Sequence, residues 1–164
     1  MKFLNAIKSA LPAAALGFLA LGLAPTSAFA SSTAAGNMAV SATVQATCIV
    51  SATAMAFGTY ISTAASSSTS TVSVTCTNTT PYTLGLSAGA GTGATVTARS
   101  MTASSVALNY GLFTNATWTT NFATLTSVNG TGAIQSTTVY GQVPANQYVT
   151  PGAYTDTIVA TVAY

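Results

Sequence analysis

Beyond residue 30 the sequence has no lysine, no glutamate and no histidine; its only charged side chains are Arg99 and Asp156. Soluble domains average about a quarter charged residues, so this scarcity excludes several functions at once. One arginine cannot neutralise the phosphates that a nucleic-acid site must engage. Metal sites need imidazole, thiolate or clustered carboxylates, and the sequence offers no such set. General acid–base catalysis draws on His, Glu, Asp or Lys, which here leaves Asp156 and tyrosines that are poor bases near neutral pH. Serine and threonine abound, but no His or Lys is present to activate one as a nucleophile. The chain is therefore read as a non-enzyme without metal or cofactor. A surface with almost no net charge favours association over free solution.

Both lysines, Lys2 and Lys8, fall in the first thirty residues, ahead of an apolar stretch over 10–23. Ala28 and Ala30 flank Phe29 in an A-x-A cleavage pattern, so residues 1–30 read as a secretory signal peptide. The apolar run is short for a membrane span, and no later segment is apolar enough to cross a bilayer. What remains has the size of one domain with one core. In an exported chain Cys48 and Cys76 are most simply a disulfide, two free thiols being the alternative. Closing a loop of that size contributes about 3–4 kcal/mol on the chain-entropy estimate.

After the signal peptide the apolar residues recur with period two, and Val, Ile, Thr and Tyr are plentiful, as strands require. "NMAVSATVQATCIV" places Met38, Val40, Ala42 and Val44 on one face of a first long strand. Further strands are expected around Val72, Val74 and Cys76; around Tyr82, Leu84 and Leu86; and around Val106, Leu108, Tyr110 and Leu112. A weaker pattern carries Ile134, Val139 and Val143, and the closing stretch aligns Ile158, Ala160, Val162 and Tyr164. Turns are expected at Asn78 to Pro81, across the Gly-rich run 87–96, at Asn129-Gly130 as a hairpin dipeptide, and at Pro151-Gly152. The low-complexity run 62–70 reads as a linker between the first two strands. Many short antiparallel strands with a disulfide point to an all-β sandwich. The cysteine spacing ties the first strand to the next one in sequence, unlike the bridge between the two sheets of an antibody domain.

Six stretches then resemble, in order, one known family: "ATCIVSATAMAFGTY", with Phe57-Gly58 after the cysteine, "VSVTCT", "PYTLGLSAG", "LNYGLF", "VYGQVPANQ" and "PGAYTDTIVATVAY". Together they resemble the spore coat protein U domain, a family that includes the major pilins of archaic (Csu-type) chaperone–usher pili. The resemblance implies an incomplete immunoglobulin-like β-sandwich that lacks its final strand and is completed by an N-terminal donor strand from a neighbouring subunit. A periplasmic chaperone fills the groove first, and an outer-membrane usher assists assembly. Such strand addition takes affinity from main-chain hydrogen bonds and specificity from alternate side chains.

On this reading residues 31–47 are a donor extension and 48–164 the pilin domain. Met38, Val40, Ala42 and Val44 are the expected groove-filling side chains. Ile158, Ala160, Val162 and Tyr164, on the last strand, are the expected acceptor wall and chaperone contact. Period-two patterning fits an ordinary first strand equally well; the resemblance favours the donor role, with the changeover to the chain's own first strand expected near Val44. Asp156 sits in the family's G-x-Y-x-D-T pattern, where a side-chain bond to a nearby backbone N–H is expected rather than a salt bridge to Arg99. Trp118 reads as core or rim packing rather than a glycan platform, and the N-x-T triplets at Asn78, Asn115 and Asn129 as chance in a Thr-rich chain.

The function so implied is a structural pilus subunit that forms a head-to-tail homopolymer, exported through the periplasm to the bacterial surface for adhesion and biofilm formation. A secreted binding module or tip adhesin-like domain, and a coat-layer protein, are the alternatives.

Overall fold

A computed structural model describes residues 31–164; the signal-peptide reading of residues 1–30 lies outside the described residues. The regular elements among them are all strands: β1 (Cys48–Ala52), β2 (Ser66–Cys76), β3 (Pro81–Leu86), β4 (Arg99–Ala103), β5 (Val106–Phe113), β6 (Val128–Asn129), β7 (Gln135–Val143) and β8 (Ala160–Ala163). One sheet has the order β1-β2-β7-β5-β4, the other β6-β3-β8. All their pairings are antiparallel.

The patterning of each strand explains its place. β2 turns Val72, Val74 and Cys76 into the core and leaves alternate Ser and Thr side chains on the outer face. β3 buries Tyr82, Leu84 and Leu86 in the same way, and β5 buries Leu108, Tyr110 and Leu112. Val139 and Val143 of β7 and the wholly buried Phe122, which lies in no strand, complete the core. Cys48 and Cys76 face each other in register across β1 and β2 and are joined by a disulfide. Thr79, at φ 63°, closes the β2–β3 turn ahead of Pro81.

Four expectations about elements are corrected. The run 62–70 is not all linker: strand begins at Ser66, because Ser66, Ser68 and Ser70 continue the inward parity of β2 opposite Val143, Gly141 and Val139. β7 is no weak strand but pairs with both β2 and β5, and Ile134 lies outside it and exposed. The Asn129-Gly130 pair is not the hairpin turn. Asn129 pairs with Pro81, and positive φ falls instead on Gly132. Gly130 is glycine because a Cβ there would run into Cys76 and the Thr77 carbonyl.

The N-terminal pattern, lastly, does not form one long strand. Strand starts only at Cys48. Residues 31–41, taken by themselves, carry no strand, and each side chain is exposed. Residues 42–47 are likewise exposed, with Thr47 tied to Thr77: the Thr77 N–H donates to the Thr47 carbonyl at 2.9 Å. An alternating segment needs a partner edge before it counts as a strand.

Candidate functional site

The core is open along one seam. Twelve hydrophobic residues pack against it while staying only partly buried. Five of them, Cys48, Val50, Met55, Phe57 and Tyr60, come from β1 and the segment after it; five more, Val149, Tyr154, Ile158, Ala160 and Val162, come from β8 and the segment before it. A finished sandwich buries such residues under a further strand. Here β1 and β8 approach each other but do not pair, so each keeps a free edge.

Between these walls lie two adjoining cavities. One, of about 400 Å³, is lined by Ala52, Met55 and Phe57 on one side and by 154–158 and Ala160 on the other, over a floor of Val72, Leu86, Tyr110, Leu112 and Val139. The second, of about 850 Å³, shares Met55, Phe57, Met101 and Tyr154 and extends between Tyr60 and Tyr148. Its far end is fastened by the Tyr60 hydroxyl, which donates to the Pro144 carbonyl at 2.8 Å. Gly141 lets the first wall sit close, since a Cβ there would meet the Phe57 ring. The arrangement is a long groove, mainly apolar in the smaller cavity and mixed in the larger, where Thr59, Ser62, Gln147 and Thr150 join the lining. With unpaired strand edges at its rims, it is suited to taking up an extended chain by backbone pairing.

Asp156 lines this groove, and Arg99 lies behind its floor, opposite Tyr110 in the β4–β5 register. Arg99 is wholly buried. Its Nε donates to Ser87 O at 2.9 Å, Nη1 to Val96 O at 2.6 Å, and Nη2 to Leu86 O at 3.2 Å and Phe122 O at 2.9 Å. Burial lowers its pKa, opposed by Tyr110 and Asp156. Asp156 Oδ1 accepts the N–H of Ala90 and that of Thr157, both at 2.7 Å, while Oδ2 accepts the Tyr110 hydroxyl at 2.6 Å. Burial first, then that bond, pushes the Tyr110 phenol well above its usual range. The expected turn bond at Asp156 is thus present, to Thr157, but two long-range bonds accompany it that the sequence did not disclose. The recorded bonds of Arg99 all go to backbone carbonyls.

The residues singled out in the sequence fall as follows. Ile158, Ala160 and Val162 share the half-buried face of the C-terminal wall, and Tyr164 lies beyond the last paired residue, 61 % exposed. Met38, Val40 and Val44 are 80–85 % exposed, and Ala42 is exposed as well. Cys48 begins the N-terminal wall. Trp118 lies in a loop with φ 53° and is 38 % exposed, outside the set of residues packed on the core. Sequence reasoning missed Met55, Phe57, Tyr60 and Tyr154 as wall residues. The alternation of Met55 and Phe57 was a usable signal for the first pair.

The fold and groove define a class: an all-β protein of two antiparallel sheets whose core is half-covered along the seam between β1 and β8. The sequence profile of the Spore Coat Protein U domain matches residues 34–161. The chain belongs to that family. A similar solved structure is a chain in the CsuC–CsuE chaperone–tip adhesion subunit pre-assembly complex from the archaic chaperone-usher Csu pili of Acinetobacter baumannii. The TM-score is 0.56 at 22 % identity, covering 74 % of this chain and 40 % of that one. The present chain thus spans well under half of that relative. No curated protein sequence is significantly similar to it.

Proposed function

We propose that this protein is a subunit of a chaperone–usher type pilus, joined to its neighbours by strand addition. It is exported through the periplasm, where a chaperone strand occupies the groove, and is passed by an usher into an extracellular fibre that serves adhesion and biofilm formation. In the fibre, residues 31–47 of a second copy fill the groove, with Met38, Val40, Ala42 and Val44 inward. The observation that carries this reading is the seam: ten of the twelve half-covered core residues lie on two walls that do not pair with each other. Each inserted Val or Met would contribute about 1.5–3 kcal/mol by leaving water, and main-chain bonds to the β8 edge would add to that.

A variant lacking residues 31–46 keeps its groove and loses its donor. It is expected to bind the chaperone yet form no filaments, whereas the full chain forms thin filaments that resist detergent until heated. Electron microscopy and unheated gel electrophoresis read both outcomes. Normal filaments from the truncated chain would sink the donor assignment, and dispersed full-length monomers would sink the fibre reading.

A further inference from the structure

Residues 31–164 hold one cation and one anion. The cation, Arg99, stands opposite Tyr110 in the β4–β5 register, and the anion, Asp156, lies in a stretch of the groove wall, residues 154–158. This stretch crosses between the two sheets. Thr155 exchanges backbone bonds of 2.9 and 3.2 Å with Thr102 of β4 in the first sheet. From Ala160 the chain pairs with β3 in the second. Residues 156–158, between them, belong to neither.

Hydrophobic walls that face each other across a groove, as Met55 and Phe57 face Ile158 and Ala160, gain by closing on one another. Something must oppose that closure if a strand is to enter later. Asp156 stands at the middle of the crossing and is held from three sides, by the Ala90 and Thr157 N–H groups and by the Tyr110 hydroxyl rising from the groove floor. Gly89, at φ 92°, is the residue whose missing side chain makes room for the carboxylate. The buried Arg99, opposite Tyr110 in the β4–β5 register, ties down the strand end and loop from which Ala90 projects by its bonds to the Ser87 and Val96 carbonyls.

We infer that Tyr110 and Asp156 are positioning residues: their hydrogen bond props the 154–158 wall off the opposite wall and keeps the unfilled groove receptive. The inference rests on the strand-accepting reading above. Without the prop a closed form becomes populated, and capture slows in proportion to the open fraction. Once a strand is seated, it holds the walls apart itself, so the finished joint depends little on the prop.

The test uses the full chain and its Tyr110→Phe and Asp156→Asn variants. Filament formation after dilution from denaturant is followed by light scattering, and finished filaments are heated to find where they dissociate. Both variants are expected to assemble about tenfold more slowly, the effect of losing one hydrogen bond to a charged group. Their filaments are expected to dissociate within about 3 °C of wild type. Unchanged rates would overturn the inference. So would rates and dissociation temperatures that fall together, or a Tyr110→Phe chain that fails to fold, since either makes the contact merely structural. Wild type that forms no filaments would count against the strand-accepting reading instead.

Discussion

Arg99 illustrates what a lone charge requires inside a protein. With no carboxylate bonded to it, the guanidinium is satisfied by four backbone carbonyls from three segments, the type of multidentate bonding its planar fork allows. It is also the sole Lys or Arg between residues 31 and 164. A protease that cuts after Lys or Arg should therefore leave the folded 31–164 chain intact and cut the unfolded, reduced chain once, after Arg99. Mass spectrometry of both digests checks this. Tyr110 gives a second prediction at this scale. Its phenol pKa is raised in the folded state, so its contribution is complete below the ordinary phenol value of about 10 and is lost as pH rises above it. Denaturant midpoints should fall on the alkaline side, and Tyr110→Phe should flatten that limb; an unchanged limb in the variant would refute the assignment.

Among the elements, β1 is the one on which the groove most depends. It is five residues long, lies at a sheet edge and pairs only with β2. The Cys48–Cys76 bridge fastens its first residue to its partner strand. Replacing both cysteines with serine should lower stability by about 2–4 kcal/mol, read as a shift in the denaturant midpoint. Because β1 leads into the wall carrying Met55 and Phe57, filament yield should fall as well. A variant with wild-type stability would show that the bridge is dispensable. β8 is in the complementary position, paired on one side to β3 and free on the other. A free apolar edge without Lys or Pro is an aggregation hazard in a monomer and a joint in a polymer.

For the whole molecule, the opposite charges of Arg99 and Asp156 cancel over residues 31–164, and Arg99 is buried. Association of such subunits has no long-range electrostatic component to screen. The rate of filament formation should therefore change by less than about twofold between roughly 0.05 and 0.5 M NaCl, although the Debye length shrinks severalfold over that range. Light-scattering kinetics measure it, and a steep salt dependence would contradict an assembly driven by strand pairing and apolar burial.

The all-β character is legible in the sequence alone, because period-two patterning and β-branched residues leave no helical face among the strand segments. Residues 31–164 also offer a single carboxylate side chain, Asp156, a single cationic one, Arg99, and no His or Lys. The disulfide partners and most core positions, from Val72 to Val162, were legible for the same local reason: inward parity is written along each strand. Tertiary structure decided what depends on distant partners. It decided that 62–70 is half strand, since Ser66 to Ser70 carry no apolar signal and are fixed only by pairing with β7. It placed Met55, Phe57 and Tyr60 opposite Tyr154 and Ile158, and linked the wall residue Asp156 to Tyr110 of the floor, with Arg99 behind it. Alternation tells a side chain which way to face, but which edge is left without a neighbour depends on how the sheets are ordered, and no local pattern encodes that order.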